Sequence, residues 1–353
     1  MAWWTRSFSG RRCSSAAGLP WPPWAPPRPQ NALTRSGLAV VDGLAPEVLL
    51  AGFDAGQTHT RCRLALADGS VIGEGEGSGV SHLGSSGGPE RFTAALASSL
   101  AAARRSAGCT AGLSAAAIGA SGIEQGSPSQ RQGTDLARKS LGIETVLVTG
   151  DERTALAGAF GAREPGIVLI SGTGAIAVGR DASGRQHRCA GWGWLVDGVG
   201  SAMDIGRDGL ALTLRMADGR LEETALKTVL WEALGVHEAH ELKARVVDPS
   251  FGAAGFARLA PLVSAQAEAG DPHAGQVLEI AGEELALMVE GVASALALDA
   301  PALCCFGGAI SHLAPLQQAM EVVLQERLPG IRRVQAQGDA CGGALQLAQA
   351  LSS

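Results

Sequence analysis

The sequence predicts an α/β protein made of two similar halves that face one another across a cleft. Three observations predict it. Short apolar runs bounded by glycine turns alternate with longer helical stretches along most of the chain. The pattern strand, Gly/Thr turn, strand, Asp/Gly turn, strand occurs twice, about 118 residues apart. The 353 residues are enough for about two domains and a sizeable core.

Residues 1–45 differ from the rest. They hold four of the seven tryptophans, and Pro20 to Pro29 holds six of the 16 prolines. Five arginines, Arg6, Arg11, Arg12, Arg28 and Arg35, precede the first acid, Asp42. No uninterrupted apolar stretch follows these bases, so the segment does not read as a secretory signal. The prolines would break an amphipathic transit helix. The expectation is a disordered or mis-assigned extension. The first half is then residues 46–150 and the second 151–339, with a last helix at 340–351 packing back on the first half.

The regular pattern starts near 47. Residues 47–54 and 60–67 read as strands, joined by the polar turn Asp54-Ala55-Gly56-Gln57-Thr58. Asp68-Gly69 marks a turn into a third strand at 70–75. A Gly/Ser loop leads to a helix from about Pro89 to Arg105, with proline in its first turn. Ala115–Ala120 and 144–149 are strands, ending at Ser121-Gly122 and Gly150-Asp151, and a helix follows at 152–162. The meander then recurs at 166–170, 175–179 and 186–190, with Ser171-Gly172-Thr173-Gly174 as its first turn. Helices fill most of 200–299. Ala302–Phe306 is a strand capped by Gly307-Gly308, with a helix from about 311.

Composition narrows the function. Net charge is -6, which argues against nucleic acid or an anionic membrane as the main partner. No apolar run reaches the roughly 18–20 residues needed to span a bilayer; residues 272–299 are interrupted by Glu279, Glu283, Glu284 and Glu290. The seven cysteines are scattered without a C-x-x-C pair, so neither a zinc site nor a disulfide framework is indicated. Free thiols suit a reducing cytoplasm, the expected location.

The two Gly/Thr turns are candidate phosphate clamps. Glycine lets backbone N–H groups approach an anion, and threonine adds a hydroxyl donor. Asp54, at a strand end, is placed to hold a cation or its water. Gly307-Gly308 would let a nucleoside lie against the backbone. Asp151 has two readings: the N-cap of the following helix, or a general base taking the proton of a hydroxyl that attacks a phosphoryl group. Its position between the two turns favours the second. Gly191-Trp192-Gly193-Trp194 offers a flat indole wall for a sugar ring, or a structural corner with two core tryptophans.

Asp54-x-Gly-x-Thr58, Gly150-Asp151, Ser171-Gly-Thr-Gly174, Gly191-Trp-Gly-Trp194 and Gly307-Gly308 occur in one order. In that order the set resembles the BadF/BadG-type ATPase and N-acetylglucosamine kinase family, over about residues 48–350. The resemblance implies two ribonuclease H-like (actin-like ATPase) domains facing a nucleotide cleft, with ATP and magnesium as cofactors. It implies magnesium near Asp54, held through water, and phosphate binding by Gly56, Gln57, Thr58, Gly172, Thr173 and Gly174. Gly307 and Gly308 would hold adenosine, Asp151 would be the general base, and His82, Gly122, Trp192, Gly193 and Asp197 would line the acceptor site. The implied reaction is phosphorylation of glucosamine or N-acetylglucosamine. The partner is then a small amino sugar, with no nucleic acid and no membrane, and a homodimer is left open.

Two departures lie on the sugar side. The family's Leu-Leu-Gly-Asp-Glu after the second tryptophan becomes Leu195-Val196-Asp197-Gly198-Val199, which moves an aspartate one position early. His82 stands roughly where the family has an asparagine; it can also donate or accept. The alternatives are a non-catalytic sensor of the same fold and an ATPase activator of a 2-hydroxyacyl-CoA dehydratase. The activator needs cysteines bridging an iron–sulfur cluster, whereas alternation sends Cys304 and Cys305 to opposite faces of a strand.

Overall fold

The computed structural model describes residues 49–352; the expectations for residues 1–45 lie outside them. The first half opens with a meander, Leu49–Ala55 (β1), His59–Leu66 (β2) and Val71–Ser78 (β3). It continues through Gly88–Ala107 (α1), Leu113–Ala120 (β4), Pro128–Leu141 (α2) and Val146–Gly150 (β5). Its sheet has the order β3-β2-β1-β4-β5, antiparallel through the meander and parallel from β1 onward.

β1 is an unbroken apolar run because both of its faces are covered. β3 reads Val-Ile-Gly-Glu-Gly-Glu-Gly, and its glycines face α1. A Cβ on Gly75 would lie 2.2 Å from the backbone nitrogen of Ala103, so helix and strand meet at a distance no side chain allows. Phe92, Leu96 and Leu100 of α1 close the core with Phe53, Leu64 and Ile118.

The second half enters through Asp151–Phe160 (α3) and repeats the meander as Gly166–Ser171 (β6), Ala175–Arg180 (β7) and Gln186–Ala190 (β8). A helical block follows: Ala202–Ala217 (α4), Ala225–Leu234 (α5), Ala239–Val247 (α6), Gly252–Ala257 (α7), Ala260–Glu268 (α8) and Pro272–Leu296 (α9). The chain ends with Ala302–Phe306 (β9), Gly308–His312 (α10), Ala314–Arg327 (α11), Arg332–Arg333 (β10) and Ala340–Ser352 (α12). The sheet order is β8-β7-β6-β9-β10, which repeats the first sheet position for position. The two-half α/β reading of the sequence is therefore the architecture found.

Several elements differ from the sequence reading. α2 was not expected; Ser127 caps it by accepting the Gln130 N–H at 3.0 Å, Pro128 starts it, and Gly142 ends it at φ 69. The helix expected from about 311 is two pieces, α10 from Gly308 and α11 from Ala314. Leu313 between them has an extended backbone, with Pro315 in the first turn of α11. Cys304 packs toward α3 while Cys305 joins the opposite core, as strand alternation requires.

Two helices lie between the sheets. α3 packs Leu156 and Phe160 on Val168 and Val178 of the second sheet. α12 packs Leu345 on Leu50, Ala65 and Ala115 of the first. They cross on bare backbone: a Cβ on Gly343 would lie 2.0 Å from the Thr154 carbonyl oxygen, and one on Gly158 2.1 Å from that of Asp339. Among the described residues no helix is long and apolar enough to cross a membrane.

Candidate active site

The parallel strands β1, β4 and β5 place their C-terminal ends side by side, the edge at which open α/β sheets bind ligands. Asp54 lies near the end of β1, opposite Gly119 of β4. Asp151 follows β5 directly. The structure corrects the capping alternative for Asp151: Gly150 is the N-cap and Asp151 is the first residue of α3. Its carboxylate is partly buried and accepts from the Ser121 hydroxyl and from the backbone N–H groups of Asp151 and Glu152. Burial, then the nearby charge of Asp54, outweigh these bonds and raise its pKa. Two carboxylates of opposite expected role thus stand close enough to influence one another.

Ser121 leads into Gly122, and His82 stands against that turn, 3.3 Å from where a Cβ on Gly122 would be. A second glycine, Gly84, donates its N–H to His82 Nδ1 at 3.1 Å and fixes the ring. Asp151, Gly122 and His82 are therefore brought to one place, joined through Ser121.

On the second half, Ser171-Gly172-Thr173-Gly174 turns from β6 into β7. The Ser171 hydroxyl donates to the Gly200 carbonyl at 2.8 Å, and the Ala202 N–H donates to the Gly172 carbonyl at 2.8 Å. The turn is thereby fixed to the start of α4. Gly307 has φ 102, and a Cβ there would lie 2.3 Å from the Ser171 carbonyl oxygen, so only glycine fits. Gly172, Thr173 and Gly308 form one end of a cavity of about 630 Å³. Its other walls combine small residues of α7 and α8, among them Ala254, Ala257, Pro261 and Ala265, with the side chains of Arg258, Glu268 and His312. The volume and the lining suit a small-molecule ligand. The turn at Gly56, Gln57 and Thr58 does not line this cavity; Gln57 and Thr58 are exposed at the end of the first meander.

Trp192 is 65% exposed, so it is not a core tryptophan. One face of its indole lies against the Arg188 guanidinium, 4.1 Å from the ring centroid. Its backbone N–H donates to Asp197 Oδ2 at 3.1 Å, and Gly193 bridges to Asp197. Asp197 thus closes the loop that carries Trp192. Leu195 and Val196 at the tip are 77% and 83% exposed.

The sequence reading missed Ser121, although Ser121-Gly122 was visible as a strand end. It also missed Glu152, whose side chain folds back over Gly150. Burial, then the Asp151 charge, push Glu152 up to about 7 against the pull of Arg153 and Arg188. Arg188 links this buried carboxyl to Trp192, so the start of α3 and the tryptophan loop share one charged cluster. No local pattern marks that link.

The donor set suits a nucleotide with a divalent cation. The Gly172 N–H donates to the Gly174 carbonyl at 2.9 Å, so the amides of Thr173-Gly174 and Gly307-Gly308 are the ones offered to an anion, beside a cavity of sufficient size. Asp54 is a single carboxylate of the kind that holds magnesium, whose remaining ligands are water and phosphate.

Residues 51–348 match the model of the BadF/BadG/BcrA/BcrD ATPase family. An N-acetylmuramic acid/N-acetylglucosamine kinase of Clostridium acetobutylicum is 30% identical over 214 residues, 60% of this chain and 70% of that protein. An N-acetyl-D-glucosamine kinase of Dictyostelium discoideum is 32% identical over 187 residues, 52% of this chain and 59% of that protein. Among solved structures, a Chromobacterium violaceum protein proposed to be an N-acetylglucosamine kinase superposes with a TM-score of 0.70 at 29% identity. That match covers 86% of this chain and all of the other. A ROK family glucokinase of Streptomyces griseus, solved with glucose and AMPPNP, shares the fold at a TM-score of 0.55 and 16% identity, over 86% of this chain and 99% of that one.

Proposed function

The chain belongs to the BadF/BadG/BcrA/BcrD ATPase family, and on that premise we propose that it is an ATP-dependent sugar kinase acting on an amino sugar, N-acetylglucosamine or glucosamine. The observation that carries the proposal is the setting of Asp151. It stands at the sheet edge between Asp54 and the Ser121-Gly122 turn with His82 beside it. The named activity of the two curated relatives supports the choice of sugar class.

In this reading Gly172, Thr173, Gly174, Gly307 and Gly308 would hold ATP and Asp54 would hold magnesium, with Gly56, Gln57 and Thr58 completing the phosphate contacts. When bound, ATP would supply the phosphoryl group and magnesium would offset the charge on its oxygens. Asp151 accepts a hydrogen bond from the sugar hydroxyl, orients it and takes its proton. A carboxylate raised by burial is a stronger base than one in water, which suits that task. His82, Gly122, Trp192 and Gly193 form the acceptor site, with the open indole face against the sugar ring. Asp197 holds the tryptophan loop through its bond to the Trp192 N–H and contributes to that site.

Asp151→Ala tests the proposal. Turnover should fall by roughly 10²–10⁴-fold, the usual share of general-base catalysis. Thermal stability should change little, because the side chain is partly exposed and Gly150 supplies the cap. Turnover near that of the wild type would reject Asp151 as the base. Kinetics over a panel of amino sugars, with NMR of the product, identifies the acceptor and the hydroxyl.

A further inference from the structure

We infer that Arg61 is a positioning residue for Asp54, and that through Asp339 it ties this carboxylate to the helix crossing between the two halves. The inference rests on the reading of Asp54 as the magnesium-associated aspartate.

Arg61 lies on β2 directly opposite Asp54 in the antiparallel pair. Its Nη2 donates to Asp54 Oδ2 at 2.7 Å. Its Nη1 donates to Asp339 Oδ2 at 3.4 Å, across 278 residues of sequence. Asp339 receives a second arginine: Arg63 Nη2 donates to Oδ2 at 2.9 Å, and Arg63 Nη1 to Oδ1. The same carboxylate accepts the Gly342 N–H at 2.9 Å, at the start of α12. The carbonyl oxygen of Asp339 is the atom against which Gly158 of α3 is packed. A continuous path thus runs from Asp54 to the crossing of α12 with α3, the helix that begins with Asp151.

Two facts distinguish this set from an ordinary surface ion pair. Asp54 is only 19% exposed, so screening by water is reduced. One guanidinium also serves two carboxylates through separate Nη groups, whose directions its planar fork holds fixed. Binding Oδ2 restricts the orientation of the Asp54 carboxylate. Groups that orient a metal-associated side chain in this way usually change metal affinity or activity by about 10–100-fold when removed.

The test uses the full chain and reads the magnesium dependence of ADP binding by titration calorimetry, alongside kcat and KM. Arg61→Gln should raise the magnesium concentration for half-maximal ADP binding about tenfold. The sugar KM should stay within about twofold, because the side-chain hydrogen bonds of Arg61 go to Asp54 and Asp339 and to none of the proposed acceptor residues. Arg61→Lys, which keeps the charge without the fork, should give an intermediate shift. Asp339→Asn should shift the dependence in the same direction, and the double variant Arg61→Gln with Asp339→Asn should be no worse than Arg61→Gln alone. An Arg61→Gln protein that loses only thermal stability and keeps the wild-type magnesium dependence overturns the inference. Asp54→Asn separates the two levels. If it leaves the magnesium dependence unchanged, the reading of Asp54 fails; if it alters the dependence and Arg61→Gln does not, the positioning role fails.

Discussion

Single residues carry the electrostatics of this site, and Glu152 shows how. It is 5% exposed, next to Asp151, with Arg153 and Arg188 as its cationic neighbours. Its pKa rises in the folded state to about 7, first through burial and then through Asp151. A carboxyl whose folded pKa is raised favours folding while protonated, and that advantage is lost as pH rises through the folded value. Stability should therefore fall between about pH 4.5 and 7 by an amount on the order of 1–3 kcal/mol attributable to this group. Glu152→Gln should abolish that part of the slope and melt higher than the wild type at pH 8. Thermal melts from pH 5 to 8 on both proteins check this; parallel slopes would remove Glu152 as the cause. The sequence singled out Asp151 because a strand-end acid before a helix has few meanings. Nothing local distinguished Glu152, since its pKa rises first through burial, which only the packing of the whole fold sets.

Elements succeed or fail on their ends and faces. The two meanders were legible because glycine turns punctuate them. α2 was missed because its composition, Pro-Ser-Gln-Arg-Gln-Gly-Thr, is polar and leaves Gly133 and Ala137 as its buried positions. Its caps were nevertheless present as Ser127-Pro128 and Gly142. The crossing of α3 and α12 depends on small residues on both helices, a feature periodicity does not reveal. Gly158→Ala would place a methyl group 2.1 Å from the Asp339 carbonyl oxygen, which forces the helices apart. The expected loss is about 1–3 kcal/mol, the usual result of overpacking. Urea unfolding should show it as a lower midpoint with an unchanged slope. Since Asp339 also belongs to the Asp54–Arg61 path, the variant should lose kcat as well.

At the scale of the molecule, the cavity of about 630 Å³ joins elements distant in sequence: the turn after β6, helices α7 and α8, and α10 from Gly308. A nucleotide bound there should stabilise the folded chain by about 2.7 kcal/mol at a concentration 100 times its Kd. Ala265 is exposed on α8 and lines the cavity, so Ala265→Trp should fill the space without disturbing the core. That variant should melt close to the wild type without nucleotide and lose the upward shift when ADP and magnesium are added. A retained shift would place the nucleotide elsewhere.

The sequence by itself determined the two repeated meanders, the glycines at their turns, the acids at the strand ends and the family. These depend on residues close together along the chain, where alternation, turn chemistry and motif order leave a direct record. The tertiary structure alone decided that Asp54 shares Arg61 with Asp339, that Arg188 lies between Glu152 and Trp192, and that small residues of α7 and α8 wall the cavity. Those pairings join residues up to 278 positions apart. They arise only when whole helices and sheets pack, because packing fixes which buried charges must find partners and where the backbones come close enough to require glycine.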